Sequence, residues 1–215
     1  MAKKKKDNEE IKKVNTDDMS DEELKEYVTK EAKKDMIMDL GPYLIIIFFV
    51  IVIRTFIASP VRVNGSSMFP TLQEGDNMIL YKLSKHTRGI KRFDIVVVKT
   101  DKERLIKRVI GLPGETVKYE VSEDEEGKKI AHLYINGKII EEDFITEEAK
   151  NETCKIETTM ICSSEYIVPD GEYFVMGDNR GDSLDSRIIG SVEFNKIQGI
   201  TNLVFFPFDR MGTVK

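Results

Sequence analysis

From Leu40 to Ile53 the chain carries no charged side chain, and that run constrains its fold more than any other stretch of the 215 residues. With the flanks Ile37–Met38 and Thr55–Ile57 it makes an apolar segment of about 21 residues, roughly 32 Å long as a helix, enough to cross a bilayer's hydrocarbon core. Asp39 and Arg54 stand near its ends, where a side chain can reach the headgroups. A buried core helix is the competing reading. Apolar β-branched and aromatic residues occupy every face, however, and leave no polar side for solvent. The segment is expected to be a membrane-crossing helix over residues 36–57.

A cleaved leader would explain the same run less well. Its apolar part would begin late, after a long charged tail, and Phe56-Ile57-Ala58-Ser59 offers no clean small-x-small cleavage site. Lys25, Lys30, Lys33 and Lys34 crowd the N-terminal side of the span. By the positive-inside rule, residues 1–35 form a cytoplasmic tail and residues 58–215 lie outside, giving a single-pass protein of the plasma membrane. Within the tail, Ser20-Asp21-Glu22-Glu23 is a capping box, followed by Leu24, Tyr27, Val28 and Ala32 at helical spacing. This predicts a solvated helix leading into the span. A partner-binding helix is the sharper alternative.

The formal net charge of −5 argues against a nucleic-acid partner. Cys154 and Cys162 fit no common zinc spacing, and neither His86 nor His132 stands at a ligand distance from them, so no metal or cofactor is expected. No small-residue context surrounds Cys154 to make it a nucleophile. A disulfide and two free thiols both remain open for the pair.

Beyond Pro60 the pattern turns to short β-rich runs: Met78–Tyr81, Asp94–Val98, Leu105–Ile110, Thr116–Tyr119 and Leu133–Ile135. Glycine and proline punctuate them, and Asn136-Gly137 is a two-residue hairpin signal. Ser122–Lys129 and Glu141–Thr153 read as loops or an elaboration of the sheet. The fold class is mainly β: an N-terminal transmembrane helix, then an antiparallel β-sheet domain with a β-rich elaboration around residues 116–170.

Three islands place reactive residues where strands and turns alone do not require them. In Val63-Asn64-Gly65-Ser66-Ser67-Met68-Phe69-Pro70-Thr71-Leu72, Ser67 follows a glycine and precedes a proline. Its backbone can be held and exposed, and its own N–H can donate to an oxyanion. Taken alone, an ordinary turn would explain the same residues. In Arg104-Leu105-Ile106-Lys107-Arg108-Val109-Ile110, Lys107 lies in an apolar strand. A buried lysine loses its proton readily and becomes a competent base, whereas Arg108 on the opposite face is expected to point to solvent. The third island, Gly177-Asp178-Asn179-Arg180-Gly181-Asp182-Ser183-Leu184-Asp185-Ser186-Arg187, reads as a polar turn, with Asp185 and Arg187 as an internal ion pair.

In this order the islands resemble the type I signal peptidase family. Gly65–Leu72 is similar to its nucleophile box, Arg92–Val97 and Lys107–Glu115 to the next two, and Gly177–Arg187 to the last. The resemblance implies a Ser/Lys serine endopeptidase with Ser67 as nucleophile and Lys107 as general base. Ser183 would orient the lysine amine, and Asp185 and Arg187 would brace the loop. Gly65 stands where some members carry an oxyanion-hole serine, which places the chain with the Gram-positive branch. Asp182 departs from the asparagine often seen before that serine and receives no role. The implied substrates are the signal peptides of exported preproteins, cut after small residues at −3 and −1, at the bilayer and close to the secretion translocon. An extended peptide beside a strand points alternate side chains the same way, and Val63, Leu72 and Ile106 are the candidate pocket walls. Their role as plain core residues is an equal alternative.

Two rivals remain. A self-cleaving repressor with the same dyad needs a DNA-binding helix-turn-helix, which residues 1–58 do not supply. A catalytically inactive, membrane-tethered binding module needs neither Ser67 nor Lys107, yet both are present.

Overall fold

The computed structural model describes residues 20–123, 129–154, 160–162 and 164–214. Most of the charged tail, the tip of the 122–129 segment and most of the stretch between Cys154 and Cys162 therefore lie outside the described residues. The chain divides into two compact units, 1–52 and 53–215.

Among the described residues the first unit holds one helix, α1 (Asp21–Val52), which contains Pro42. The capping box forms as the sequence implies: Ser20 N–H donates to Glu23 Oε2 at 3.0 Å and Glu23 N–H to Ser20 Oγ at 3.4 Å. The helix runs unbroken across the 35/36 boundary, so that boundary is a change of composition, not of structure. With the π-helical turn Ile53–Ile57 it forms a helix long and apolar enough to cross a membrane, and none of its most apolar stretch is buried.

The second unit holds two antiparallel sheets. Its strands are β1 (Ala58–Arg62), β2 (Asn77–Tyr81), β3 (Ile95–Lys99), β4 (Arg104–Gly111), β5 (Thr116–Glu123), β6 (Lys129–Ile135), β7 (Lys138–Ile140), β8 (Tyr166–Ile167), β9 (Glu172–Met176), β10 (Val192–Glu193), β11 (Ile197–Phe206) and β12 (Gly212–Thr213). The larger sheet has the order β1-β2-β11-β3-β4-β9-β10, with β12 beside β11. The smaller one, β7-β6-β5-β8, is the elaboration. Asn136 and Gly137 turn β6 into β7 with φ of 51° and 73°, the left-handed pair that a two-residue hairpin requires.

Gly111 shows why the two sheets can join closely. A Cβ there would press on the Val117 and Val168 side chains at 2.6 and 2.9 Å. Among the described residues three apolar clusters fill the unit. One gathers Val63, Met68, Leu72, Met78, Val97 and Ile106 under the Ser67 turn. Another packs Ile110 and Phe174 against Tyr119 and Leu133 of the small sheet. Emptying such a site, as Leu72→Ala would, costs about 2–5 kcal/mol. Near the end of β11, Val204 is buried, while Phe206 and Phe208 are 47 % and 76 % exposed.

Candidate active site

The segment between β1 and β2 folds back on itself, with Val63 N–H donating to Asp76 O at 2.8 Å and Gly75 N–H to Val63 O at 3.0 Å. Met68 and Leu72 anchor it in the core. Gly65 takes φ of 83°, which disfavours any side chain at that position. Ser67 is left half-exposed at the turn. Lys107 reaches it from β4: Nζ lies 2.6 Å from Ser67 Oγ.

Lys107 is 1 % exposed, and among the described residues no carboxylate lies within ion-pair distance of it. Burial pushes its amine below the ordinary lysine value. Arg187 adds to that push, and Asp185 opposes it without cancelling it.

The third island arrives on the loop between β9 and the short helix Ser186–Ile189. Asp185 and Arg187 form the expected ion pair, bidentate at 2.9 and 2.8 Å. Asp185 also caps the short helix and accepts from Gly177 N–H at 3.0 Å. Burial alone would raise its carboxyl, but Arg187, the Gly177 N–H and the Ser183 hydroxyl together outweigh that and hold it below the usual range. Ser183 is buried; among the described residues its hydroxyl meets no partner in full hydrogen-bond geometry, yet it lies near enough to Asp185 to help hold that carboxylate ionised. It lies beside the Ser67 turn, since a Cβ on Gly177 would collide with both Ser183 Oγ and Ser67 O.

Arg108 corrects the sequence reading. It is fully buried, not solvent-facing, because β4 is covered on both faces from Ile106 onward. Its guanidinium donates to both Asp178 oxygens at 2.9 and 2.6 Å and to Phe93 O at 3.1 Å, and lies over the Phe144 ring. Arg180 is a second buried cation that sequence reasoning left unassigned. It donates to Glu142 Oε1 at 2.5 Å, Tyr119 Oη at 2.6 Å and Thr153 Oγ1 at 3.2 Å, so the small sheet grips the loop that follows β9. Asp182, given no role above, accepts from Ser66 Oγ at 2.7 Å. Cys154 and Cys162 form a disulfide.

A groove of about 350 Å³ opens beside Ser67, between residues 60–64 and 103–106. Val63 and Ile106 line it. Leu72 does not: it is wholly buried beneath the turn, because the fold-back that exposes Ser67 points Leu72 inward. Both banks are unpaired strand edges. Among the described residues β1 pairs only with β2, and β9 takes up the second edge of β4 only from Arg108 onward, leaving Arg104–Lys107 open. Two open edges flanking a hydroxyl–amine pair are the arrangement expected of a hydrolase for extended peptides.

The sequence comparisons agree with that class. Residues 36–206 match the family model described as signal peptidase, peptidase S26. Signal peptidase I T of Bacillus subtilis (strain 168) is 37 % identical over 192 residues, which is 87 % of this chain and 94 % of that protein. Signal peptidase I of Bacillus licheniformis is 37 % identical over 172 residues, 78 % of this chain and 87 % of its own. A crystal structure of a signal peptidase I from Enterococcus faecalis V583 shares 34 % identity, covering 52 % of this chain and 95 % of that one with a TM-score of 0.37. The chain belongs to the signal peptidase family, peptidase S26, and is a signal-peptide-processing serine protease of type I.

Proposed function

We propose that Ser67 is the nucleophile and Lys107 the general base of this peptidase. The observation that carries the reading is the 2.6 Å contact between Ser67 Oγ and a buried lysine amine with no carboxylate partner. Neutral Lys107 takes the Ser67 proton as Oγ attacks the scissile carbonyl, and the resulting oxyanion lies against the Ser67 N–H. Collapse breaks the C–N bond. The lysine ammonium returns its proton to the departing amine, leaving an acyl-serine. Lys107 then deprotonates a water that attacks the ester, and the proton passes back to Ser67. Ser183 borders this centre, and Asp185 with Arg187 fixes the loop that carries it. Gly65 brings no side-chain donor, so the oxyanion depends on backbone.

The substrate is an extended preprotein segment laid between β1 and β4, with small residues at −1 and −3 against Val63 and Ile106. α1 anchors the enzyme in the plasma membrane with residues 1–35 cytoplasmic and 58–215 outside, beside the translocon's emerging substrates. The lysines before the span support that orientation.

The test is cleavage of a preprotein bearing Ala-x-Ala by the full chain in lipid-containing micelles. Ser67→Ala and Lys107→Ala should each abolish it with the fold intact, and the double variant should be no worse than either single one. Near-native turnover by Lys107→Ala would overturn the dyad. Binding of the preprotein without cleavage by the unaltered chain would favour the inactive module.

A further inference from the structure

Asn179 grips the carbonyls on both sides of the nucleophile. Its Nδ2 donates to Ser66 O at 3.2 Å, and its backbone N–H donates to Ser67 O at 3.0 Å. The Ser66–Ser67 peptide bond is trans, so its C=O and its N–H point in opposite directions. With Ser66 O turned toward the 177–182 loop, the Ser67 N–H must turn away from it. Among the described residues that N–H has no hydrogen-bond partner. Two further tethers hold the same turn to the same loop: Ser66 Oγ donates to Asp182 at 2.7 Å and Thr71 Oγ1 to Asp178 at 2.6 Å.

We propose that Asn179 is a positioning residue that aims the Ser67 N–H at the oxyanion. The inference rests on Ser67 being the nucleophile. It has particular weight in this chain because Gly65 offers no second donor, so a misaimed Ser67 N–H leaves the oxyanion without help. Asn179 acts in two ways. It fixes the peptide plane before charge develops, which is what makes a donor effective, and its bond to Ser66 O polarises the peptide and strengthens the N–H as donor. Loss of a direct oxyanion donor costs about 10²–10³ in kcat, so an indirect one is expected to cost about 10- to 100-fold.

The experiment uses the full chain in micelles with two variants. Asn179→Ala removes the side-chain donor. Asn179→Asp keeps the shape, yet its ionised carboxylate cannot donate, and it keeps the test open if the alanine variant misfolds. Four readouts are taken: kcat, KM, the pH–rate profile, and the affinity of two signal-peptide probes, one ending in an aldehyde and one in a carboxamide. The aldehyde adduct with serine carries the oxyanion; the carboxamide does not. The expected result is a fall in kcat with KM and the pH limb unmoved, and an aldehyde affinity that falls with kcat while carboxamide affinity holds. Unchanged kcat overturns the proposal. So does a parallel loss of both probes, which reports a merely structural role. Persistent cleavage by Ser67→Ala in the same assay instead overturns the nucleophile assignment beneath it.

Discussion

Lys107 and Arg108 are neighbours on β4, both shut away from water, and the regions around them treat a buried cation in opposite ways. On the Arg108 side a carboxylate, a carbonyl and an aromatic face meet the guanidinium. On the Lys107 side the hydrogen-bond partner is a hydroxyl. Arginine cannot shed its proton, so burial demands the ion pair with Asp178; lysine can, so burial turns it into a base. The difference shows that burial alone assigns no role. What arrives opposite the cation separates a brace from the base proposed for Lys107.

The largest expected effect breaks the Lys107 side. Lys107→Met should lower kcat by about 10²–10⁴, the usual worth of a positioned general base, while the fold persists. Lys107→Arg should be equally inactive, since arginine stays protonated. In the unaltered enzyme, activity should rise with pH along a limb that falls below the ordinary lysine value of 10.5. The sign for stability follows from the same lowering. Between the lowered value and 10.5 the unfolded chain binds a proton that the folded chain refuses, so stability climbs with pH in that window. Lys107→Met should remove that slope, as urea unfolding at several pH values would show. An unchanged slope would mean the amine is protonated in the fold.

The next effect breaks the Arg108 side. Arg108→Met leaves Asp178 buried and unpaired, which costs about 3–5 kcal/mol and should appear as a large drop in Tm. Activity should fall only as the folded fraction falls, so turnover per folded molecule stays within a few-fold of the parent. A stable but inactive Arg108→Met would erase the distinction between the two neighbours.

The same contrast marks what the sequence could reveal. The β-branched runs and Asn136-Gly137 were legible because strand and hairpin signals are local. β9, five residues between turns, carried no comparable signal and was not singled out. Ser67 and Lys107 stood out because each is chemically odd in its setting. Arg108 was misread because strand alternation assumes one wet face, and β4 has none over its buried half. Its partner Asp178 lies 70 residues away, and Glu142 lies 38 from Arg180; such pairings are set by tertiary approach and leave no local pattern. Leu72 failed as a groove residue for a related reason. Nearness to Ser67 along the chain says nothing of which side of the turn faces the core.

The smallest effect concerns the disulfide, which abuts the braced side. Thr153, the neighbour of Cys154, is fully buried, accepts from Arg180 through its hydroxyl at 3.2 Å and from Arg187 through its carbonyl at 3.4 Å. The cross-link spans a sequence separation of 8, and closing so short a loop is worth about 2.5 kcal/mol by the chain-entropy estimate. Replacing both cysteines with serine should therefore lower Tm measurably. Catalysis should suffer little. Arg180 keeps Glu142 and Tyr119, and Arg187 keeps Asp185, so Thr153 supplies only part of each arginine's support. Turnover at 25 °C should stay within about threefold, a loss worth under 1 kcal/mol of barrier, and the pH limb set by Lys107 should not move. Intact mass after alkylation, with and without reductant, establishes that the bond is present in the parent enzyme. A displaced limb in the double-serine variant would show that the braced region reaches across β4 to the amine, and that the two neighbours are one electrostatic unit instead of two.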